Sequence, residues 1–244
     1  GHSGLDEERA MIDILIPVLG RPHNAAPLVQ NIRDNTTVEH TIRFICTRGD
    51  HEQITACNVT DADLVIVAEF PAGRGDYARK INGAIRGSDS EWIFNGADDI
   101  RFEKGWDTAA LQAAGDRFHV VATNDMANAK VRRGQFGTHN LIRRRYVTEQ
   151  GATGAFEPGV VLWEGYDHNF PDRELCGVAQ SRGVFTFARH SRVRHFHPLW
   201  KTALNDATYV KSLKHFREDQ RLFYSRAHLW GYQGLSAHER NLPA

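Results

Sequence analysis

Cysteine, methionine and net charge are all scarce in this sequence. Three cysteines occur in 244 residues, Cys46, Cys57 and Cys176. They are too few and too scattered for a disulfide framework or a zinc cage. Cys46 lies in an apolar run and reads as a small buried hydrophobe. Thirty basic residues balance thirty acidic ones, so the chain as a whole has no field suited to general polyanion binding. There is no run of about 18 apolar residues to cross a bilayer. No charged and then apolar leader precedes the first apolar segment, so a reducing, cytoplasmic setting is expected. The phosphate-cradling loop G-x-x-x-x-G-K-[ST], the G-x-G-x-x-G fingerprint, the G-x-S-x-G elbow and zinc-ligand spacing are all missing. Gly73-Arg74-Gly75 is too short to stand in for them.

What remains is a globular composition, 41% hydrophobic with five tryptophans, and enough chain for one sizeable α/β domain. Residues 1–10 (GHSGLDEERA) read as a purification remnant and polar leader ahead of Met11. Residues 12–19 (IDILIPVL) form a β-branched apolar run stopped by Gly20 and Pro22, a buried strand and a turn. Further strands are expected at 41–46, 63–68, 91–94, 118–123 and 184–188, with an extended segment at 192–197. Helical spacing marks 25–35, with Asn24 as N-cap, and also 77–86, 106–114 and 174–180. Residues 134–140 read as a loop, and 140–146 as a short strand or a helix start. Strands alternating with helices imply a mainly parallel sheet with helices on both faces. Residues 11–200 would form that domain, and 201–244 a helical extension of it. The helical tail, 206–229, would cover an acceptor site or form a homodimer contact.

In sheets of this kind ligands bind beyond the carboxyl ends of the strands. The segment Asn95-Gly96-Ala97-Asp98-Asp99 follows such an end. Taken alone, adjacent carboxylates there read as a turn or helix cap ahead of residues 101–104. A hard divalent cation bridging them to a phosphate is the chemical alternative, because it offsets the cost of burying two negative charges.

The order of motifs favours the second reading. IPVLGRP, then YARKINGAIRGSDSEWIF, then GADDI resemble the nucleotide-binding half of family 2 glycosyltransferases. That family's pattern is a P-x-x-x-R strand end, A-x-N-x-G on a helix, an apolar strand and an Asp-x-Asp motif. Pro17 and Arg21 match the first, and Asn82-Gly83 the second. Gly96 stands where the first motif carboxylate would be, which leaves Asp98 as the second. The resemblance implies the GT-A fold, a Rossmann-like sheet, and a nucleoside-diphosphate-sugar donor with UDP or GDP as its nucleotide. It assigns the donor to Pro17, Val18, Leu19 and Arg21, to Thr47, to Tyr77, Lys80 and Asn82, and to Ala97 and Asp98. It implies Mn²⁺ or Mg²⁺ at Asp98 and Asp99, with His195 or His197 as partner.

Further along, residues 168–183 (HNFPDRELCGVAQSRG) resemble the family's acidic segment at a helix start. Asp172 falls on its catalytic base and Glu174 is the reserve. An inverting transfer needs one carboxylate to take the proton of the attacking acceptor hydroxyl. A helix N-terminus would also favour either acid without catalysis. His195 and His197 share one side of an extended segment, and imidazole beside carboxylate suits Mn²⁺. His139 and Asn140 could approach donor or acceptor. Arg143, Arg144 and Arg145 read as a solvated face or as a diphosphate contact. The acceptor hydroxyl is unidentified. A sugar-nucleotide pyrophosphorylase would need a glycine-rich loop after the first strand, where LGRPHN has one glycine. A degenerate domain that binds a saccharide or a protein partner is the non-catalytic alternative.

Overall fold

A computed structural model describes residues 11–114, 120–198 and 207–231. The ten-residue leader, positions 118 and 119 of one expected strand, and 201–206 and 232–244 of the expected extension lie outside the described residues.

The first strand, β1 (Ile12–Val18), is buried along its whole length. Its side chains alternate between two cores, as the period of a strand requires. Ile12, Ile14, Ile16 and Val18 pack with Leu28 and Ile32 of helix α1 (Ala25–Asn35) and with Trp106 of α4 (Trp106–Ala114). Leu15 faces the other way, towards Ile81 and Ile85 of α3 (Asp76–Arg86) and Leu175 and Ala179 of α7 (Pro171–Ser181). A sheet covered on both faces follows directly. Asp13 is the one acid inside β1, and it is matched there. Arg43 Nη2 lies 2.9 Å away, Ser90 donates at 2.7 Å, and Thr41 and Ser88 also donate to it.

The remaining strands are β2 (His40–Cys46), β3 (Leu64–Val67), β4 (Trp92–Asn95), β5 (Ile100–Phe102), β6 (Val120–Asn124), β7 (Asn140–Arg143) and β8 (Phe185–His195). They form one sheet in the order β3-β2-β1-β4-β7-β6-β8-β5. Strands β7 and β5 run against the others. The order reverses between β1 and β4, which makes a switch point at their carboxyl ends.

Several expectations change. Asn24 makes no side-chain cap, because a 3-10 turn over Pro22–Asn24 already leads into α1. Helix α2 (His51–Asn58) was not foreseen; Asp50 caps it by accepting from Gln53 N. Residues 100–102 are strand, paired antiparallel with β8, and not a helix start. The segment 140–146 is both of its alternatives, β7 followed by α6 (Arg144–Gln150). Residues 185–195 are one strand where two separate pieces were expected. A short helix, α5 (Ala129–Arg132), precedes the 134–140 loop.

The tail forms α8 (Ala207–Arg226) and a 3-10 turn over Ala227–Trp230. Phe223, Ala227 and Trp230 bury against Tyr166, Phe170 and Val178 of the same chain. The expected homodimer contact therefore finds no support, since these apolar groups turn inward. Among the described residues no helix is long and apolar enough to cross a membrane.

Candidate functional site

The turn after β1 begins the site. Gly20 takes a left-handed conformation (φ 65°) and donates its N–H to Asp50. Arg21 N donates to Gln53 Oε1 at 2.8 Å, so α2 fixes the direction in which the arginine leaves the strand. Its guanidinium then meets both candidate carboxylates, Asp98 Oδ1 at 3.0 Å and Asp99 Oδ2 at 3.4 Å. All three side chains are largely buried. Arg21 thus supplies part of the positive charge that the adjacent aspartates require.

Long-range pairing brings the histidines to the same place. Ile100 is in register with His195 across the β5–β8 ladder, and Phe196 N donates to Asp99 O. His195 Nε2 consequently lies 3.6 Å from Asp99 Oδ1. Burial by itself would lower the His195 pKa. Its contact with Asp99 and the charges of Asp125 and Asp172 outweigh that and raise it. His197 stacks edge-on to His195 with ring centres 5.5 Å apart, and burial pushes its pKa down to about 4. His139 meets His195 from another side, with centres 5.2 Å apart. Its Nδ1 donates to Asn95 O, while its buried Nε2 has no protein partner. Burial holds the His139 pKa near 4, so the ring is neutral and Nε2 carries a lone pair.

Helix α3 supplies the floor. Lys80 is 1% exposed and spends its three donors on Val18 O (2.9 Å), Thr47 Oγ1 (2.7 Å) and Asp76 Oδ2 (2.8 Å). It ties the ends of β1 and β2 to the first turn of α3. Tyr77 donates from its hydroxyl to Gly96 O at 3.1 Å, fixing the loop before Asp98. Gly96 is tightly placed. A Cβ there would stand 3.0 Å from Leu15 O, and Gly96 N donates to that same carbonyl.

The opposite wall is the loop into α7. Asp219 of α8 accepts from the backbone N–H groups of Asp167, His168 and Asn169 at 2.7, 3.0 and 2.8 Å. The chain then passes Phe170 in a left-handed conformation (φ 75°) and enters α7 at Pro171. Asp172 follows on the cavity wall. Burial raises its pKa to about 6 despite the opposing pull of Arg173.

Between these walls lies a cavity of about 630 Å³. Pro17 and Val18 line it from β1, Leu19 and Arg21 from the turn after it, Tyr77 and Lys80 from α3, and Ala97, Asp98 and Asp99 from the β4 loop. Asp172, His195, His197 and His139 complete the expected residues present there, while Asn140 does not line it. Thr47, Asn82 and Glu174 do not line it. Thr47 stands behind as a partner of Lys80. Asn82 accepts from Val161 N and Leu162 N and donates to Leu162 O, pinning a distant loop. Glu174 is fully committed elsewhere, to Arg226 at 2.7 and 2.9 Å, to the Tyr166 hydroxyl and to Gly154 N. With every oxygen engaged and no access to the cavity, it is a structural anion and no reserve base.

The arginine run is also structural. Arg143 pairs with Glu91, Arg144 donates to Ser90 O, and Arg145 pairs with Glu149. Glu91 and Ser90 precede β4, at the end of the strand away from Asp98, and Glu149 lies one turn along α6 from Arg145.

Sequence reasoning passed over Asp76, Lys130, Phe136, Phe170, Arg173 and Phe216 on the cavity wall. All but Phe216, which lies within α8, sit in irregular segments or at helix starts, where no periodic pattern marks them. Among the described residues no three His, Cys, Asp or Glu side chains are gathered into a ready metal cage.

No protein-family model matches the sequence, and no curated protein matches it either. Solved structures do. Glucosyl-3-phosphoglycerate synthase from Mycobacterium tuberculosis, in complex with Mn²⁺, UDP and glucosyl-3-phosphoglycerate, superposes with a TM-score of 0.62 at 11% identity. The match covers 90% of this chain and 80% of that one. A mannosyltransferase from Pyrobaculum calidifontis, in complex with GDP-Man and Mn²⁺, gives a TM-score of 0.62 at 12% identity, over 91% of this chain and 69% of that one. The chain has the GT-A fold. At these identities the likeness establishes the architecture, and the GT-A frame locates the cavity at its switch point.

Proposed function

We propose that this chain is a metal-dependent glycosyltransferase that moves a sugar from a UDP or GDP donor to an acceptor hydroxyl, with inversion at the anomeric carbon. One observation carries the reading. A single cavity joins the Asp98–Asp99 pair at the switch point to Asp172, a carboxyl whose pKa of about 6 suits a general base. The GT-A neighbours crystallised with Mn²⁺ and UDP or GDP-Man support the donor class.

The residues present fit a divalent cation by their chemistry. Asp98 and Asp99 offer hard oxygens, and His195 and His197 offer imidazole nitrogen, a set that suits Mn²⁺. Such cations are commonly held by one or two carboxylates together with the substrate's phosphates, so a complete protein cage is not required. When bound, the metal would neutralise charge on the leaving diphosphate. Arg21, already between the two aspartates, adds a second positive charge there. Tyr77 and Lys80 hold the loop ends that shape the donor pocket. On the acceptor side Asp172 takes the hydroxyl proton as the oxygen attacks the anomeric carbon. The bond from that carbon to the diphosphate breaks, and the nucleoside diphosphate departs with the electron pair.

A thermal-shift panel of nucleoside diphosphates, with and without Mn²⁺, tests the class. One base should raise Tm in a Mn²⁺-dependent way, and Asp98→Ala should abolish that rise. If no nucleotide shifts the protein, the transferase reading fails. Nucleotide binding with no turnover of any sugar donor would favour a degenerate binding domain, which the glycine at position 96 also suits. Proton NMR of the first product formed would report inversion or retention.

A further inference from the structure

The acceptor side of the cavity carries cations that the chemistry above leaves unused. Arg21 is engaged by Asp98 and Asp99, and all three donors of Lys80 are occupied. Arg173 and Lys130 differ. Both line the cavity, and neither has an ion pair or side-chain hydrogen bond among the described residues. Arg173 is half-buried and, beyond its electrostatic pull on Asp172, faces no anionic partner among the described residues, so its charge there needs a reason.

Its surroundings fix the guanidinium without neutralising it. The rings of Phe223, Phe170 and Phe136 lie 4.9, 5.2 and 5.5 Å from its central carbon. Aromatic faces hold a guanidinium by cation–π attraction and leave its N–H edges available. Those edges form a fork that matches carboxylate or phosphate oxygens. Phe170 is itself fixed by the left-handed turn that Asp219 organises upstream. Arg173 is therefore a positioned cation, adjacent in sequence to the group that receives the acceptor's proton.

That adjacency separates it from the donor. The diphosphate belongs at the Asp98 end, and the residue beside the base faces whatever carries the attacking hydroxyl. We propose that the acceptor is an anion, bearing a phosphate or carboxylate group that Arg173 and Lys130 bind while its hydroxyl reaches Asp172. The proposal rests on the transferase reading for its roles, but the anion site itself can be measured without any donor.

The test is calorimetric titration of the full chain, in metal-free buffer, with inorganic phosphate, acetate and neutral glycerol. Phosphate or acetate should bind and glycerol should not; which anion binds tighter tells a phosphorylated acceptor from a carboxylated one. Arg173→Gln should weaken that binding at least tenfold and Lys130→Gln severalfold, while Arg173→Lys should recover part of the loss. Rising salt should weaken it. Wild-type protein that binds neither anion, or Arg173→Gln binding as wild type does, overturns the proposal. Should Arg173→Gln not fold, the wild-type contrast of anion with glycerol and the Lys130→Gln arm still decide. The outcomes are separable from those of the nucleotide panel. Nucleotide binding without anion binding refutes the charged acceptor alone, and anion binding without nucleotide binding refutes the transferase reading alone.

Discussion

Asp172 is a carboxyl made more basic by its place on the cavity wall, and its pH response follows from that. Burial favours the neutral acid, while Arg173, the neighbouring backbone N–H groups and His195 favour the anion. The balance leaves a pKa of about 6. In the proposed transfer the proton acceptor is the carboxylate, which is scarce below that value and abundant above it. The pH profile of kcat/KM should therefore rise with decreasing acidity through about pH 6 and then level off. Replacing Arg173 by Gln removes a charge that lowers this pKa, so the rising limb should move to higher pH in that variant. Asp172→Asn should reduce turnover by at least a hundredfold, within the usual range for a lost general base, with nucleotide binding retained. A profile flat between pH 5 and pH 8 would remove Asp172 from that role. At the other end of the cavity, Gly96 illustrates how a missing carboxylate can have a backbone cause. Its amide is bonded to Leu15 O, and any side chain there would press on that carbonyl at 3.0 Å.

Elements differ in how plainly their residues announce them. Runs such as IDILIP and WIF were legible because strands buried on both faces take mostly apolar side chains, Asp13 being an exception matched by its own partners. Helix α3 was legible from Ala78, Ile81 and Ile85 on one face. Helix α2 was not, since only Gln53 and Cys57 of its residues are buried. Strand β5 is three residues long and exists by pairing with β8, a contact no local pattern encodes. The polar stretch Arg189-His190 split β8 in two on paper, yet both residues simply face solvent. Glu174 was misjudged for a related reason: its partner, Arg226, lies 52 residues away on α8. Its ion pair, with Tyr166 as a further donor, anchors α8 to α7. Glu174→Gln should leave the Arg226 charge unmatched beside Trp163 and cost about 3 kcal/mol, the order found when one partner of a buried pair is removed. Urea denaturation would measure this. Nucleotide binding should persist at temperatures where the variant remains folded, and a variant as stable as the parent would show the pair to be energetically idle.

Across the whole molecule, the cavity is built from two kinds of support. The end proposed for the donor hangs on the sheet: β1, β4 and α3 are locked together by Lys80, Tyr77 and Gly96. The end proposed for the acceptor hangs on α8, because Asp219 gathers three consecutive amides of the 167–169 loop that leads into Phe170 and Asp172. Asp219 is itself fully buried, so its removal strands those amides away from water. The two ends should therefore fail separately. Asp219→Ala should loosen residues 167–172 and lower turnover by tenfold or more, while Mn²⁺-dependent nucleotide binding stays close to that of the parent. Hydrogen exchange at amides 167, 168 and 169 should accelerate in the variant, well beyond any change in β1 or β4. Asp219→Asn keeps one carbonyl acceptor and should recover part of both properties. If exchange accelerates in the loop but turnover is untouched, the acceptor end does not depend on α8. If nucleotide binding falls in step with turnover, the cavity behaves as one cooperative body instead of two independently braced ends.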